Sequence, residues 1–234
     1  MKKAAEMTRR ELASYIDYAI LKPEMKLNEI IEAVKTGVEL GVASVCVNPV
    51  YVPMLEEYVR GSDTKISPTA DFPFGTSSTA SRVAQLQDVL PYETVEEIDI
   101  VMNYGMLRSG MYMEVTQDLK ACAEAVHACN KILKVILETD ALTKEDIEAG
   151  CRCCMEAGVD FVKTSTGFLT GHELRGAASD VVEQILSLVH DTCRVKGSGC
   201  IRTKEHFLEL IDMGTDRLGV NYTSAIKILG ECDE

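Results

Sequence analysis

Three lysines and an aspartate sit inside short apolar runs where solvated residues would be out of place. The runs are Leu133-Lys134-Val135-Ile136-Leu137-Glu138, Asp160-Phe161-Val162-Lys163, Arg194-Val195-Lys196-Gly197 and Ile98-Asp99-Ile100-Val101. On a β-strand, residues two apart share a face, so Phe161 with Lys163, Asp99 with Val101, and Lys134 with Glu138 are expected on common faces. An ammonium turned into an apolar interior either finds a partner or titrates low. A single case is explained by a strand that stops one residue early, and Lys134 or Asp99 alone reads as a structural ion pair. Recurrence on neighbouring runs of a chain with net charge −13 points instead to a functional cluster.

Such a cluster suits amine catalysis on a carbonyl compound. An ordinary lysine, with a pKa of about 10.4, is protonated and non-nucleophilic at neutral pH. A second ammonium nearby and apolar walls lower that value and free the lone pair. The amine then condenses with a carbonyl to a protonated imine, an electron sink that lets the carbon–carbon bond β to it break or form. A carboxylate relays protons during carbinolamine formation and dehydration. Two lysines and an aspartate are a minimal set for this work.

These groups need a frame, and the chain supplies an alternating one. Strands are expected at Ile16–Leu21, Ala43–Val47, Ile66–Phe72, Ile98–Met102, Leu133–Glu138, Asp160–Lys163, Arg194–Gly197 and Arg217–Val220. Helices are expected at Leu27–Leu40, Thr79–Leu90, Tyr112–Ala128, Thr143–Ala157, Ala178–His190, Lys204–Met213 and Thr223–Leu229. Thr143 with Asp146 has capping-box character, and Gly158 and Gly214 stand where helix-ending glycines belong. The pattern predicts an α/β fold, a single parallel (β/α)8 TIM barrel spanning residues 1–234. A short N-terminal helical extension, Met7–Tyr15, is expected across its bottom. An open doubly wound sheet would carry a glycine-rich fingerprint after its first strand, where this chain has Leu21-Lys22-Pro23.

Barrel enzymes keep reactive groups at the C-terminal ends of the strands and hold phosphate in the loops after the last two. Here Gly197-Ser198-Gly199-Cys200-Ile201-Arg202-Thr203 opens a helix, so its backbone N–H groups could cradle an anion, with Arg202 adding charge. A tight turn that needs glycines explains the same residues without a ligand. The last loop, Gly219-Val220-Asn221-Tyr222-Thr223-Ser224, also leads into a helix.

The acidic balance speaks against a nucleic-acid or anionic-membrane partner. No apolar run is long enough to span a membrane, and the basic segment Met1 to Arg10 lacks the apolar stretch of a signal peptide. A cytoplasmic protein is expected. Nine cysteines, an odd number, do not suggest a disulfide framework, and Cys151, Cys153 and Cys154 read as packing thiols on a helix. His127, His172, His190 and His206 lack metal-ligand spacing, so no metal site is expected.

Over nearly its whole length the chain resembles the deoxyribose-phosphate aldolase family, class I aldolases of barrel fold. The motifs are Ile16-Asp17 with Leu21-Lys22-Pro23, Val45-Cys46-Val47-Asn48-Pro49, Glu97-Ile98-Asp99, Leu133-Lys134-Val135-Ile136-Leu137-Glu138-Thr139, Val162-Lys163-Thr164-Ser165-Thr166-Gly167-Phe168, and Val195 through Thr203. The resemblance implies reversible cleavage of 2-deoxy-D-ribose 5-phosphate to acetaldehyde and D-glyceraldehyde 3-phosphate, with no metal or organic cofactor. It implies that Lys163 forms the Schiff base, Lys196 lowers its pKa and Asp99 relays protons. Asp17 and Lys134 are expected near the substrate. Thr164, Gly167, Gly197, Gly199, Arg202, Gly219 and Asn221 are expected to bind it.

The implied partners are small sugar phosphates and aldehydes, and the resemblance points to a homodimer. Three positions depart from the family pattern. Tyr18 and Ala19 follow Asp17 where His-Thr is usual, Cys200 replaces the second of two glycines, and Asn221-Tyr222 stands where a Ser-Ser pair binds phosphate. Two further readings therefore stand beside the first: an aldolase for another sugar phosphate or hydroxy-aldehyde, and a non-catalytic sugar-phosphate-binding barrel.

Overall fold

The computed structural model describes residues 2–189 and 191–232. Eight parallel strands close into a barrel in chain order: β1 (Ile16–Ile20), β2 (Ser44–Val47), β3 (Lys65–Ala70), β4 (Glu97–Val101), β5 (Ile132–Ile136), β6 (Phe161–Lys163), β7 (Arg194–Ser198) and β8 (Arg217–Asn221). The last strand pairs back on the first, Asp17 beside Gly219. The expected parallel (β/α)8 barrel is what the chain forms.

The helical layer comprises α1 (Arg9–Ala13), α2 (Leu27–Leu40), α3 (Val52–Val59), α4 (Thr79–Val89), α5 (Tyr104–Arg108), α6 (Tyr112–His127), α7 (Lys144–Ala157), α8 (Ser179–Val189), α9 (Lys204–Asp212) and α10 (Tyr222–Gly230). Helix α7 opens on the Thr143–Asp146 capping box and stops at Gly158, whose φ of 72° is the left-handed turn that favours glycine. The N-terminal helix lies across the barrel floor: Arg9 Nε donates to Leu229 O, and Ala4 N to Asp212 Oδ1.

Alternation along the strands divides two environments. One set of side chains, including Tyr18, Val45, Ile66, Ile98, Ile100, Leu133, Val135, Val162, Val195 and Leu218, is buried in the apolar core that includes the helices. The other set lines the lumen and is largely charged: Asp17, Glu97, Asp99, Lys134, Lys163, Lys196 and Arg217 contact one another across it. The lumen of a barrel is ordinarily filled with branched aliphatic residues. Enclosing so many ions is costly even when, as here, they are paired, and a well-packed aliphatic filling would serve stability as well or better.

The structure differs from the sequence reading at several element ends. Strand β3 stops at Ala70 because Asp71 turns to φ 47°, and β5 stops at Ile136, leaving Glu138 at φ 64°. Glu138 therefore does not share a face with Lys134. Helix α3 was not among the expected helices; Pro49 opens the turn before it and Pro53 sits in its own first turn, where proline is tolerated. The five-residue α5 carries too few residues for a periodic pattern and rests on Asn103, whose Oδ1 accepts from Met106 N. The expected helix end and histidine at His190 lie outside the described residues.

Candidate active site

The register of the sheet assembles the cluster. Lys134 on β5 pairs in register with Asp99 on β4 and Phe161 on β6, and Lys163 on β6 pairs with Lys196 on β7. Because paired residues point to the same side, these side chains all enter the lumen.

At its centre, Asp99 Oδ2 accepts from Lys163 Nζ at 2.7 Å and from Lys196 Nζ at 2.8 Å. Its other oxygen accepts from Ser67 Oγ at 3.3 Å and faces Lys134 Nζ at 3.8 Å. Lys196 Nζ also reaches Asp17 Oδ2 at 2.5 Å, and Lys134 Nζ donates to that oxygen at 2.7 Å and to Glu97. Toward the floor, Arg217 donates from Nη1 to Asp17 Oδ1 at 2.7 Å and from Nη2 to Glu97 Oε1 at 2.9 Å. Ser44 Oγ completes Asp17 at 2.7 Å. The network is closed off from solvent except at Arg217, whose side chain is 15% exposed: Lys163 is 2% exposed, and Lys196, Lys134, Asp17 and Asp99 are 0%.

The two candidate reactive lysines are driven apart electrically. Burial lowers the pKa of Lys163, Asp99 opposes that effect, and the positive charge of Lys196 adds to it. Lys196 is also buried, yet two carboxylates, Asp17 and Asp99, raise its pKa above the ordinary lysine value. Asp99 and Asp17 are held below the usual carboxylate range despite burial, because ammonium and guanidinium groups surround them. The result is a fixed cation beside an amine that tends to lose its proton. Cys46, from β2, is a buried thiol pushed up to about 11 by burial.

Above the lysines the loops form the mouth. A cavity of about 380 Å³ is lined there by Gly167, Gly199, Arg202, Gly219 and Asn221, together with Lys22 and Phe168. Five of the expected binding residues thus converge on one hollow. Thr164 does not line it: its Oγ1 donates to Ser198 O and accepts from Ser198 N, locking β6 to β7. Gly197 faces the helices, where a Cβ would come within 3.0 Å of Leu218 Cδ2. Gly219 has a second role, since a Cβ there would stand 2.6 Å from Ser198 Oγ and 3.2 Å from Lys196 Cε. Glu138, buried and pushed up by burial, turns its carboxylate to Thr166, accepting from Thr166 N at 3.1 Å and from its hydroxyl.

Among the unusual positions, Ala19, Cys200 and Asn221 reach the mouth, whereas Tyr18 lies outside the sheet against Tyr222, ring centroids 6.3 Å apart. Sequence reasoning had not singled out Glu97, Arg217, Ser44 or Ser67 as site residues. The signal was available for the first two: Glu97 stands two before Asp99 and Arg217 two before Gly219, each on the lumen face. A larger hollow of about 610 Å³ lies at the opposite face, beside Asp160, Arg194 and Asp216, away from the lysines.

Comparison with known proteins gives a consistent result. The profile of the DeoC/LacD family aldolase matches residues 6–221. The deoxyribose-phosphate aldolase of Clostridium kluyveri is 36% identical over 225 residues, 96% of this chain and 100% of that protein. Among solved structures, one titled "QR15, an Aldolase" superimposes with a TM-score of 0.86 at 35% identity, covering 94% of this chain and 95% of that one. The tetrameric deoxyribose phosphate aldolase of Aeropyrum pernix gives 0.85 at 25% identity, covering 95% and 91%.

Proposed function

The chain belongs to the DeoC/LacD family of aldolases, and on that premise we propose that it cleaves 2-deoxy-D-ribose 5-phosphate reversibly through a Schiff base on Lys163. The products are acetaldehyde and D-glyceraldehyde 3-phosphate. The observation that carries this reading is the shared oxygen: Asp99 Oδ2 holds Lys163 Nζ at 2.7 Å and Lys196 Nζ at 2.8 Å in an enclosed lumen.

In this scheme the unprotonated Lys163 amine adds to the aldehyde carbon of the open-chain sugar. Asp99, within hydrogen-bond reach of the nitrogen, takes up its proton and returns one to the departing hydroxyl, so water leaves and an iminium forms. The C3 hydroxyl then gives its proton to the carboxylate relay, Asp99, as the C2–C3 bond breaks, and the bonding electrons flow into the iminium as an enamine. Glyceraldehyde 3-phosphate departs, Asp99 passes that proton on to the enamine carbon, and water hydrolyses the resulting imine to release acetaldehyde and the free Lys163 amine. Lys196 stays cationic, which keeps Lys163 poised and returns Asp99 to its ionised form after each proton transfer. The hollow beside Arg202, Lys22 and Gly199 is where the phosphate would lie. We assign the enzyme to the cytoplasm and take it to act as a homodimer, stages of the reading that size measurement and fractionation test directly.

A second reading, an aldolase for a substrate other than this sugar phosphate, is favoured by one contact. Asn221 Oδ1 accepts from Thr223 N at 3.1 Å and from Thr223 Oγ1 at 2.7 Å, so the start of α10 is capped by the chain itself. That is the helix end where the family's serine pair is expected to offer the phosphate its donors.

One experiment tests both. The protein is incubated with 2-deoxyribose 5-phosphate or unphosphorylated 2-deoxyribose, reduced with borohydride and mapped by peptide mass. An adduct on Lys163 that needs the phosphate supports the first reading. Equal trapping with either sugar favours the second. No adduct on Lys163 with either sugar or with acetaldehyde defeats the Schiff-base proposal.

A further inference from the structure

The enclosed network does not balance. Four cationic side chains, Lys134, Lys163, Lys196 and Arg217, meet three carboxylates, Asp17, Glu97 and Asp99. With every group ionised one positive charge is in surplus, and a low-dielectric interior disfavours it. The surplus falls on the least supported cation. Lys196 has two carboxylates, Lys134 has three within 4 Å, and Arg217 has two. Among the described residues Lys163 pairs only with Asp99 Oδ2, which it shares with Lys196.

We propose that Arg217 and Glu97, two positioning residues on the barrel floor that do not touch Lys163, set the charge count that leaves Lys163 as a free amine. This rests on the Schiff-base reading and extends it to residues outside the substrate cavity. Arg217 acts through Asp17. By holding Oδ1 it leaves Oδ2 to bridge Lys134 and Lys196, and it contributes the fourth positive charge. Glu97 acts through Lys134 and Arg217, contributing the third negative one.

The remaining groups around the network leave the count as it is. From β2, Cys46 is an un-ionised thiol. Beyond β5, buried Glu138 is a carboxylate that Lys163 feels through space; it makes no ion pair with the network, its oxygens turn to Thr166, and burial pushes it toward the neutral acid. From β7, Arg194 lies over the Phe161 ring, 4.1 Å from its centroid, but is exposed, so solvent screens its charge. From β3, Lys65 turns out to Glu96 at 2.9 Å. Burial and the charge of Lys196 lower the pKa of Lys163, in the direction the count requires.

The count predicts opposite effects from the two floor residues. Arg217→Met removes the surplus, so Lys163 keeps its proton to higher pH. Glu97→Gln raises the surplus to two, so Lys163 loses its proton at lower pH. For charges roughly 10 Å apart at an effective dielectric near 20, each shift is about one pH unit.

The readout is the pH midpoint of the rate at which acetaldehyde forms the borohydride-trapped Lys163 adduct. It is measured for the wild type, Arg217→Met, Arg217→Lys, Glu97→Gln and the Arg217→Met/Glu97→Gln double variant, with melting curves for folding. The expected midpoints are higher for Arg217→Met, lower for Glu97→Gln, and close to wild type for Arg217→Lys and the double variant. Restoration by the double variant is what a merely structural role would not give, since two lost contacts would then compound. Each arm stands alone, so a Met variant that fails to fold leaves Glu97→Gln to decide. Unchanged midpoints, or shifts in one direction, overturn the inference while Lys163 trapping in the wild type keeps the aldolase mechanism. Absence of a wild-type adduct overturns both.

Discussion

Replacing Lys196 by methionine removes a charge but keeps most of the stem that fills the lumen beside Gly219. The two ammonium nitrogens share Asp99 Oδ2, at 2.7 Å and 2.8 Å. Donors on separate lone pairs of one oxygen lie about 4.5 Å apart. At an effective dielectric near 20, two unit charges at that separation repel by about 3–4 kcal/mol. At 1.36 kcal/mol per unit, the Lys163 pKa should rise by about two to three pH units. The sign follows from the direction in the native protein. Lys163 is lowered partly by Lys196, so without that charge the amine is protonated over a wider range. Imine formation near pH 7 should therefore fall by about 10²- to 10³-fold and recover as pH rises. Stopped borohydride trapping of Lys163 between pH 6 and 10 measures this. A loss of the same factor at every pH would refute the electrostatic argument and leave Lys196 a role in proton transfer or packing.

Lys163→Met should abolish trapping yet melt at the same temperature as the wild type or higher. A lysine whose folded pKa lies below its unfolded value favours the unfolded state when pH is under that value, so removing it helps at pH 7 and the benefit fades toward pH 10. Each kcal/mol corresponds to about 2 °C for a chain of this size, and calorimetry showing a drop of more than about 5 °C would contradict the reasoning. Asp17→Asn leaves Lys134, Lys196 and Arg217 short of a charge partner and should cost about 3–5 kcal/mol, roughly 6–10 °C in Tm. Because the Asp17 pKa is depressed, its stabilisation is present above the ordinary aspartate value and lost as pH falls through the folded one, so the gap between wild type and variant should close in acid. Gly219→Ala should lower kcat about tenfold or more with a smaller change in KM, because the new methyl presses on Ser198 and Lys196 rather than on substrate; a pure KM effect would show that Gly219 acts at the substrate instead.

The barrel was legible because its strands alternate: an apolar outward face appears in every run, and the intervening helices have caps such as Thr143 and stops such as Gly158. The lysines and Asp99 were legible for the same reason, as polar residues on the wrong side of an apolar rhythm. Strand ends were not, because they depend on backbone turns at Asp71 and Glu138 that no periodicity announces. Arg217 and Glu97 were overlooked because each opens a strand, where a charged residue looks solvated. Only closure of the sheet reveals that these positions face one another through Asp17 and Lys134. Motif reading alone also grouped Thr164 and Gly197 with the binding residues, whereas the structure gives Thr164 a strand-locking bond and turns Gly197 to the helices.

The departures from the family pattern divide along the same inside–outside line. Tyr18 occupies an outward position on β1 and meets Tyr222 edge-on, so its bulk falls in the helical layer and leaves the lumen unchanged. Asn221 lies on the lumen side and lines the mouth, and its carboxamide already accepts from one backbone N–H of its own helix, that of Thr223. Tyr18 cannot alter imine chemistry directly, and Asn221 cannot alter the charge count, since it carries no charge. On the proposed mechanism the ions below set how Lys163 reacts, while the mouth above selects the carbonyl compound. Changes at Ala19, Cys200 and Asn221 should therefore move KM ratios between phosphorylated and unphosphorylated substrates without moving the pH midpoint of trapping. Changes at Arg217 and Glu97 should do the reverse. A variant of Asn221 that shifted the midpoint by a full pH unit would break that separation.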